Sequence, residues 1–477
     1  MKRSSGVLMH ISSLFGGYSV GGFSSAAEYF VDFLSDSGFG YWQVLPFCMP
    51  DEYNSPYKSY SSHGANPYFI DLTELNRRGL VTNAELSLAA EHTPYLCEYE
   101  RLSRERVQLL RRVAKRVENK NEVIAFCQSH PELDNAAHFM ALKTKNGGVP
   151  FWKWSEHTPD DDELFAWQFI QCEFFTQWQK IKAYANSKGI KIIGDIPIYV
   201  AHDSADVWAN PEEYQLDKRY MPTAVAGVPP DYFSEKGQLW YNPLYNWKKM
   251  KENGFATWRA RIRTALSLFD GVRIDHFRGL DEYFSIPSGA DDARRGKWRR
   301  GPGRAIIDAI RAEAGDKLII AEDLGDITES VERLLAYSGF PGMRVLQFGF
   351  LGDNNSTHLP HNYPKHSVAY TGTHDNPTTL GFILESDEGI RSRILDYAGA
   401  DSNDIRTATE RVVHLLLSSA SELAIVPIQD IFGFGNDTRM NTPGRASDNW
   451  AYRITKEQLD SVDRKRWRYY NEIYSRV

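Results

Sequence analysis

GVRIDHFRGL, residues 271–280, is a run of strand-forming residues that stops abruptly at Asp275. KLIIAEDLGD at 317–326 stops in the same way at Glu322, and AYTGTHDNPTT at 369–379 runs into Asp375. Short apolar runs of this kind suit strands covered on both faces, as in a parallel sheet. An acid at the C-terminal end of such a strand lies where α/β enzymes keep their chemistry.

Working outward, eight such segments can be counted, at 5–11, 41–47, 190–200, 271–277, 317–323, 343–350, 367–373 and 423–431. Segments with helical periodicity separate most of them. AAEYFVDFLSDSG precedes the second, FATWRARIRTALSLF the fourth and SVERLLAYSG the sixth, each reading as a helix that ends at or near Gly and is followed by a buried strand. The pattern predicts an α/β fold, a (β/α)8 TIM barrel, rather than an open doubly wound sheet. No G-x-G-x-x-G opens a helix, which counts against a dinucleotide fold.

The spacing is uneven. About 140 residues separate the second and third strands, too many for a structureless loop in a compact domain. We read residues 73–185 as a mainly helical insertion, with charged amphipathic helix over 95–123 and a short strand, NPYFIDL, just before it. Between the third and fourth strands, residues 201–255 are rich in Pro, Gly and aromatics (GVPPDYFSEKGQLWYNPLYNW at 227–247) and read as an insertion over the active-site face. Both insertions belong to one elaborated catalytic domain spanning 1–477.

Composition narrows the partners. A net charge of −7 gives no electrostatic case for nucleic acid or an anionic membrane. No stretch approaches the roughly 20 apolar residues of a membrane span, and the apolar run near the N-terminus is too short for a signal peptide. The four cysteines form no C-x-x-C pair, so a reduced, cytoplasmic compartment is expected. Aromatic residues make up 13% of the chain; beyond filling the core, Tyr and Trp suit platforms for sugar rings.

The strand-end residues carry the chemistry. Alternate residues of a strand share a face, so Arg273 and Asp275 both point into the barrel mouth. A guanidinium beside an aspartate favours its ionised form, which a nucleophile needs; a structural ion pair has the same appearance. Glu322 suits an acid whose surroundings raise its pKa, protonating a glycosidic oxygen and later activating an acceptor; a loop acid is the alternative. His374 and Asp375 suit a grip on sugar hydroxyls, or an Asx-type turn. Asp195, in GDIPIYV, follows the third strand by the same logic. Two carboxylates held near a third suggest glycoside chemistry. His358, His361 and His366 do not have zinc-ligand spacing and read as a solvated loop. The basic run RRGKWRRGPGRA at 294–305 reads as a structural or lid loop. There is no GxSxG elbow and no P-loop.

Taken in order, GVRIDHFRGL, AEDLG and TGTHDNPTT resemble the blocks of the 4-α-glucanotransferases of glycoside hydrolase family 77, the amylomaltases or disproportionating enzymes of the α-amylase clan. The likeness extends to SPYKSYSSHGANPYFIDL, GDIPIYV, GVPPDYFSEKGQLWYNPLYNW, GKWRRGPG, IQDIFGFGNDTRMNTPG and NWAYR. The sequence departs from the family pattern at GGYSVGGFSS, at NWAYR and at Thr438, where alanine is usual. The resemblance implies that Asp275 is the nucleophile, Glu322 the general acid/base and Asp375 the third acid, which binds and distorts the sugar in the −1 subsite. It also implies substrate contacts for Arg273 and His374, stacking at −1 for Tyr57, a binding role for Asp195, and an acceptor-side role for Trp240. The expected reaction is transfer of α-1,4-glucan segments to the 4-hydroxyl of a glucan or glucose acceptor, through a covalent glycosyl-enzyme. The expected substrates are α-1,4-glucans and maltooligosaccharides, with no cofactor or metal. Retention calls for carboxyl groups roughly 5–5.5 Å apart. An α-glucan hydrolase of the same clan and a non-catalytic glucan-binding protein are the alternatives.

Overall fold

The computed structural model describes residues 2–230, 235–401, 404–445 and 447–477. The DYFS segment of the 201–255 stretch, at 231–234, lies outside the described residues. Twelve strands are present among them: β1 (Ser4–Leu8), β2 (Tyr41–Gln43), β3 (Lys191–Ile196), β4 (Ala224–Val228), β5 (Gln238–Pro243), β6 (Gly271–Ile274), β7 (Glu282–Pro287), β8 (Lys297–Arg300), β9 (Leu318–Ala321), β10 (Gly342–Val345), β11 (Ser367–Tyr370) and β12 (Leu423–Pro427). Eight close into a parallel barrel in the order β1-β2-β3-β6-β9-β10-β11-β12 and back to β1. These are the eight segments anticipated from the sequence.

The barrel is filled rather than hollow. Leu8, Ile193, Ile320, Met343, Val345, Val368, Tyr370, Leu423 and Ile425 project inward from six strands and pack together, with Met440 and Trp450 over them. Branched and bulky side chains in layers are what closes an eight-stranded barrel of this size. Outside the barrel, Trp178 is fully buried in the 27-residue helix Asp161–Ser187. Its Nε1–H donates to the Leu268 carbonyl at 2.9 Å, tying two surrounding helices together.

All eight expected segments run past the strand each contains, and three readings differ in kind. Of 343–350 only β10 is extended, and Leu346–Leu351 is helical. Of 423–431, β12 ends at Pro427 and Ile428–Phe432 is helical. Pro427 has no N–H for a sheet, and an unbroken apolar run does not by itself distinguish strand from helix. NPYFIDL is not a strand: Pro67–Phe69 is a 3-10 turn and Leu72–Arg77 a helix. The Asn66 side chain accepts from the Tyr68 N–H, and Asp71 accepts from Thr73, so polar caps override the apolar pattern. Between β2 and β3 the chain forms helices Asn83–Ala89, Tyr99–Ala114, Lys120–Gln128 and Pro131–Lys145 before Asp161–Ser187. The stretch at 95–123 is therefore broken into two helices.

A second, antiparallel sheet, in the order β5-β4-β7-β8, was not foreseen. It joins the stretch before β6 to the stretch after it. The basic run at 294–305 is not a loop, for it contains the edge strand β8, with the Arg278 guanidinium stacked 3.7 Å from the Trp298 ring centroid. Exposed cations on an edge strand discourage pairing with another chain. The three histidines are separately engaged: the Val345 N–H donates to His358 Nδ1, His361 meets the Tyr397 hydroxyl, and His366 meets Glu422. Among the described residues no group of His, Cys, Asp or Glu is arranged to hold a metal ion, and no helix is long and apolar enough to cross a membrane.

Candidate active site

Asp275 and Glu322 each follow immediately on a barrel strand. Ile274 of β6 lies opposite Ala321 of β9 in register, so the two acids leave neighbouring strands side by side. The backbone continues the ladder there: the Glu322 N–H donates to the Ile274 carbonyl and the Asp275 N–H to the Ile196 carbonyl, both at 3.0 Å.

Arg273, inside the mouth, joins two aspartates. One Nη–H donates to Asp195 Oδ2 at 2.7 Å, and the other nitrogen lies 2.8 Å from Asp275 Oδ1. The Tyr57 hydroxyl donates to the same Asp195 oxygen at 2.7 Å. The Asp195 side chain is wholly buried, that of Arg273 nearly so, and that of Asp275 is 30% exposed to the cleft. Burial raises the Asp195 pKa, opposed by the charge of Arg273 and the Tyr57 hydrogen bond. Removing Arg273 would strand a buried carboxylate. Replacement by Ala is therefore expected to lower unfolding stability by about 3–5 kcal/mol, measured by urea denaturation. An unchanged midpoint would mean that Asp195 does not depend on this partner.

Glu322 is held from behind. Its Oε2 accepts from the His276 N–H at 2.6 Å and its Oε1 from the Leu324 N–H at 2.8 Å. Burial, followed by the charge of Asp275, pushes the Glu322 carboxyl up to about 7, against Arg273 and the two N–H donors. A carboxyl near 7 is available both to give and to take a proton at neutral pH.

Asp375 reaches the cleft from the loop after β11. Its Oδ1 accepts from Asn441 Nδ2 at 2.5 Å, His374 Nε2 lies 3.3 Å from its Oδ2, and Arg439 donates to its backbone carbonyl. Asp430, buried beneath, accepts from the Thr371 hydroxyl and from both the N–H and hydroxyl of Thr379, fixing the two ends of the loop. The His374 ring stacks on Tyr57 at 5.0 Å with 14° between planes, and burial lowers its pKa, favouring the neutral ring. Trp240, on β5 of the second sheet, stands edge to face with His276 at 5.1 Å. Tyr57, Trp240, Asp275, His374 and Asp375 line a cleft of about 420 Å³, while Asp195, Arg273 and Glu322 are buried and do not line it. All eight residues singled out in the sequence thus belong to one connected site.

The family profile described as 4-alpha-glucanotransferase matches residues 9–459 of this chain. The chain belongs to glycoside hydrolase family 77. It is 40% identical to the 4-alpha-glucanotransferase of Synechocystis sp., covering all of this chain and 98% of the relative. It is 39% identical to that of Thermus thermophilus, with both chains fully covered. In structure it superposes on the amylomaltase from Streptococcus agalactiae in complex with acarbose, with a TM-score of 0.95, 36% identity and full coverage of both chains. The enzyme is thus a 4-α-glucanotransferase, a hexosyltransferase on a TIM barrel.

Sequence reasoning missed Asn441 and Trp450 of this family 77 site. Asn441 holds Asp375, and the Trp450 ring lies 5.8 Å from His374 and 5.9 Å from Tyr57. Both fall in blocks that resemble the family, DTRMNTPG and NWAYR, but neither lies at a strand end, where position alone aims a side chain at the mouth. Thr438, the departure in the first block, donates its hydroxyl to the Gly435 carbonyl and does not line the cleft.

Proposed function

We propose that this enzyme disproportionates α-1,4-glucans and maltooligosaccharides by a retaining double displacement on Asp275 and Glu322. The observation that carries the reading is the pairing of side chains at two adjacent strand ends. Asp275 is ion-paired with Arg273 at 2.8 Å and open to the cleft, while the buried Glu322 is pushed up to about 7. Two carboxyls with environments this different suit two different roles.

In this reading Asp275 attacks the anomeric carbon of the donor and Glu322 gives its proton to the departing glycosidic oxygen. The leaving glucan diffuses away with that proton. Glu322, now ionised, takes the proton of the acceptor's 4-hydroxyl as that oxygen attacks the same carbon and displaces Asp275. Asp375, oriented by Asn441, and the neutral His374 bind hydroxyls of the sugar at the reacting centre. Tyr57 offers its ring face there. Asp195 and Arg273 keep the nucleophile in place, and Trp240 supports the acceptor. The acarbose bound by the Streptococcus agalactiae amylomaltase supports a glucan-shaped cleft. We place the enzyme in the cytoplasm, since all four cysteines are unpaired.

Capture of the intermediate by sugar rather than water is tested with maltotriose. Transfer yields glucose together with maltopentaose and longer chains, at constant total reducing ends. Accumulation of only glucose and maltose, with a rise in reducing ends, would make the enzyme a hydrolase.

A further inference from the structure

His276 has no role in the reading above, yet it touches three parts of the site. It follows Asp275 directly, its N–H donates to Glu322 Oε2 at 2.6 Å, and its ring packs edge to face with Trp240. The hydrogen bond exists because His276 adopts a left-handed conformation, with φ 48° and ψ 51°. A residue other than Gly does so uncommonly, Asn, Asp and His more often than most, and such backbone is found where surrounding structure enforces it. The next residue continues the staple: the Phe277 N–H donates to the Glu322 carbonyl at 3.0 Å. The loop that leaves the nucleophile strand therefore holds both the backbone and the carboxyl of the other acid.

We propose that His276 is a positioning residue for Glu322, acting through the left-handed turn that aims its backbone N–H at Oε2. The inference rests on the acid/base role given to Glu322. A donor at 2.6 Å favours the carboxylate over the protonated form and restricts the carboxyl to one orientation. The other groups that face Glu322 are the charges of Asp275 and Arg273 and the Leu324 N–H. Burial favours the neutral His276 ring, pushing it down to about 4, so the ring adds no charge at neutral pH. Its buried Nε2 has no hydrogen-bond partner among the described residues. The backbone, rather than imidazole chemistry, is then the part of this residue that acts on the acid.

Four full-length variants separate the two. H276G and H276N lose the imidazole but tolerate the left-handed turn, whereas H276A and H276V lose the imidazole and disfavour the turn. Each is assayed for the pH dependence of kcat/KM with maltotriose, and for kcat/KM with α-maltosyl fluoride, whose fluoride leaves without a proton from Glu322. The alkaline limb with maltotriose is expected to stay in place in H276G and H276N. It is expected to move upward by about one pH unit in H276A and H276V, because the carboxylate has lost a donor. The same two variants should lose about tenfold more on maltotriose than on the fluoride. If H276V does not fold, H276A carries the comparison. A common alkaline limb in all four, or equal losses on both donors, would overturn the proposal and leave His276 a structural turn. An E322Q control distinguishes the underlying reading: if it transfers maltotriose at the parent rate, Glu322 is not the acid and the inference falls with it.

Discussion

Asp275→Asn is expected to lower transfer between maltooligosaccharides by about ten-thousand-fold or more, while the protein unfolds at nearly the same temperature. The amide has the shape of the carboxylate but cannot form the ester to the anomeric carbon. Losses of this size are typical when a nucleophile acting as part of a catalytic unit is removed. The fold is spared because the Asp275 side chain is partly exposed, while its neighbour Arg273 keeps Asp195 as a partner at 2.7 Å. Glucose release from maltotriose and a thermal melt by circular dichroism check the two halves of the expectation. Residual activity within about a hundredfold of the parent would remove Asp275 from the reaction.

Glu322→Gln carries the second large effect. Gln cannot give a proton, so transfer from maltotriose should fall by about a thousandfold, within the range for general acid catalysis. Release of fluoride from α-maltosyl fluoride should fall far less, since that leaving group needs no acid. In the parent enzyme kcat/KM should decline above about pH 7, as Glu322 loses its proton. The same group acts on stability with a definite sign. Its folded-state value lies above the unfolded one, so between roughly pH 4.5 and 7 the folded chain retains a proton that the unfolded chain has lost. Stability therefore falls as pH rises through that window and is flat above it. The Gln variant lacks this slope. Its unfolding free energy should change less between pH 5 and pH 8 than the parent's, by on the order of 2 kcal/mol, measured by urea denaturation at both pH values. Parallel pH profiles would mean that burial does not raise this carboxyl.

The barrel was legible in the sequence because each strand is a short apolar run ending at a turn or an acid, with an amphipathic helix between many of them. The convergence of Asp195, Asp275, Glu322 and Asp375 was legible for the same reason: an acid at a strand's C-terminal end, on the inward-facing register, points at the barrel mouth. Boundaries were less so. Leu346–Leu351 and Ile428–Phe432 are apolar on most positions, and an unbroken apolar run does not by itself distinguish helix from strand. The second sheet was hidden because its strands come from either side of β6, with Trp240 on one and Trp298 on another. No local pattern announces a pairing between segments separated by a barrel strand. Asn441 and Trp450 reach the cleft from the loops after β12, where position along the chain says little about direction. The left-handed turn at His276 was equally invisible, since a single histidine, though more tolerant of that backbone than most residues, does not announce it.

The central claim is a covalent glycosyl-enzyme on Asp275, and trapping it is the most direct test. E322Q incubated with α-maltosyl fluoride should form the intermediate quickly and release it slowly, because no base activates the acceptor. Intact-protein mass spectrometry should then show one added maltosyl group, and peptide mapping should place it on the Asp275 carboxylate. Fluoride release with no adduct at any time, or an adduct on a different carboxylate, would contradict the account.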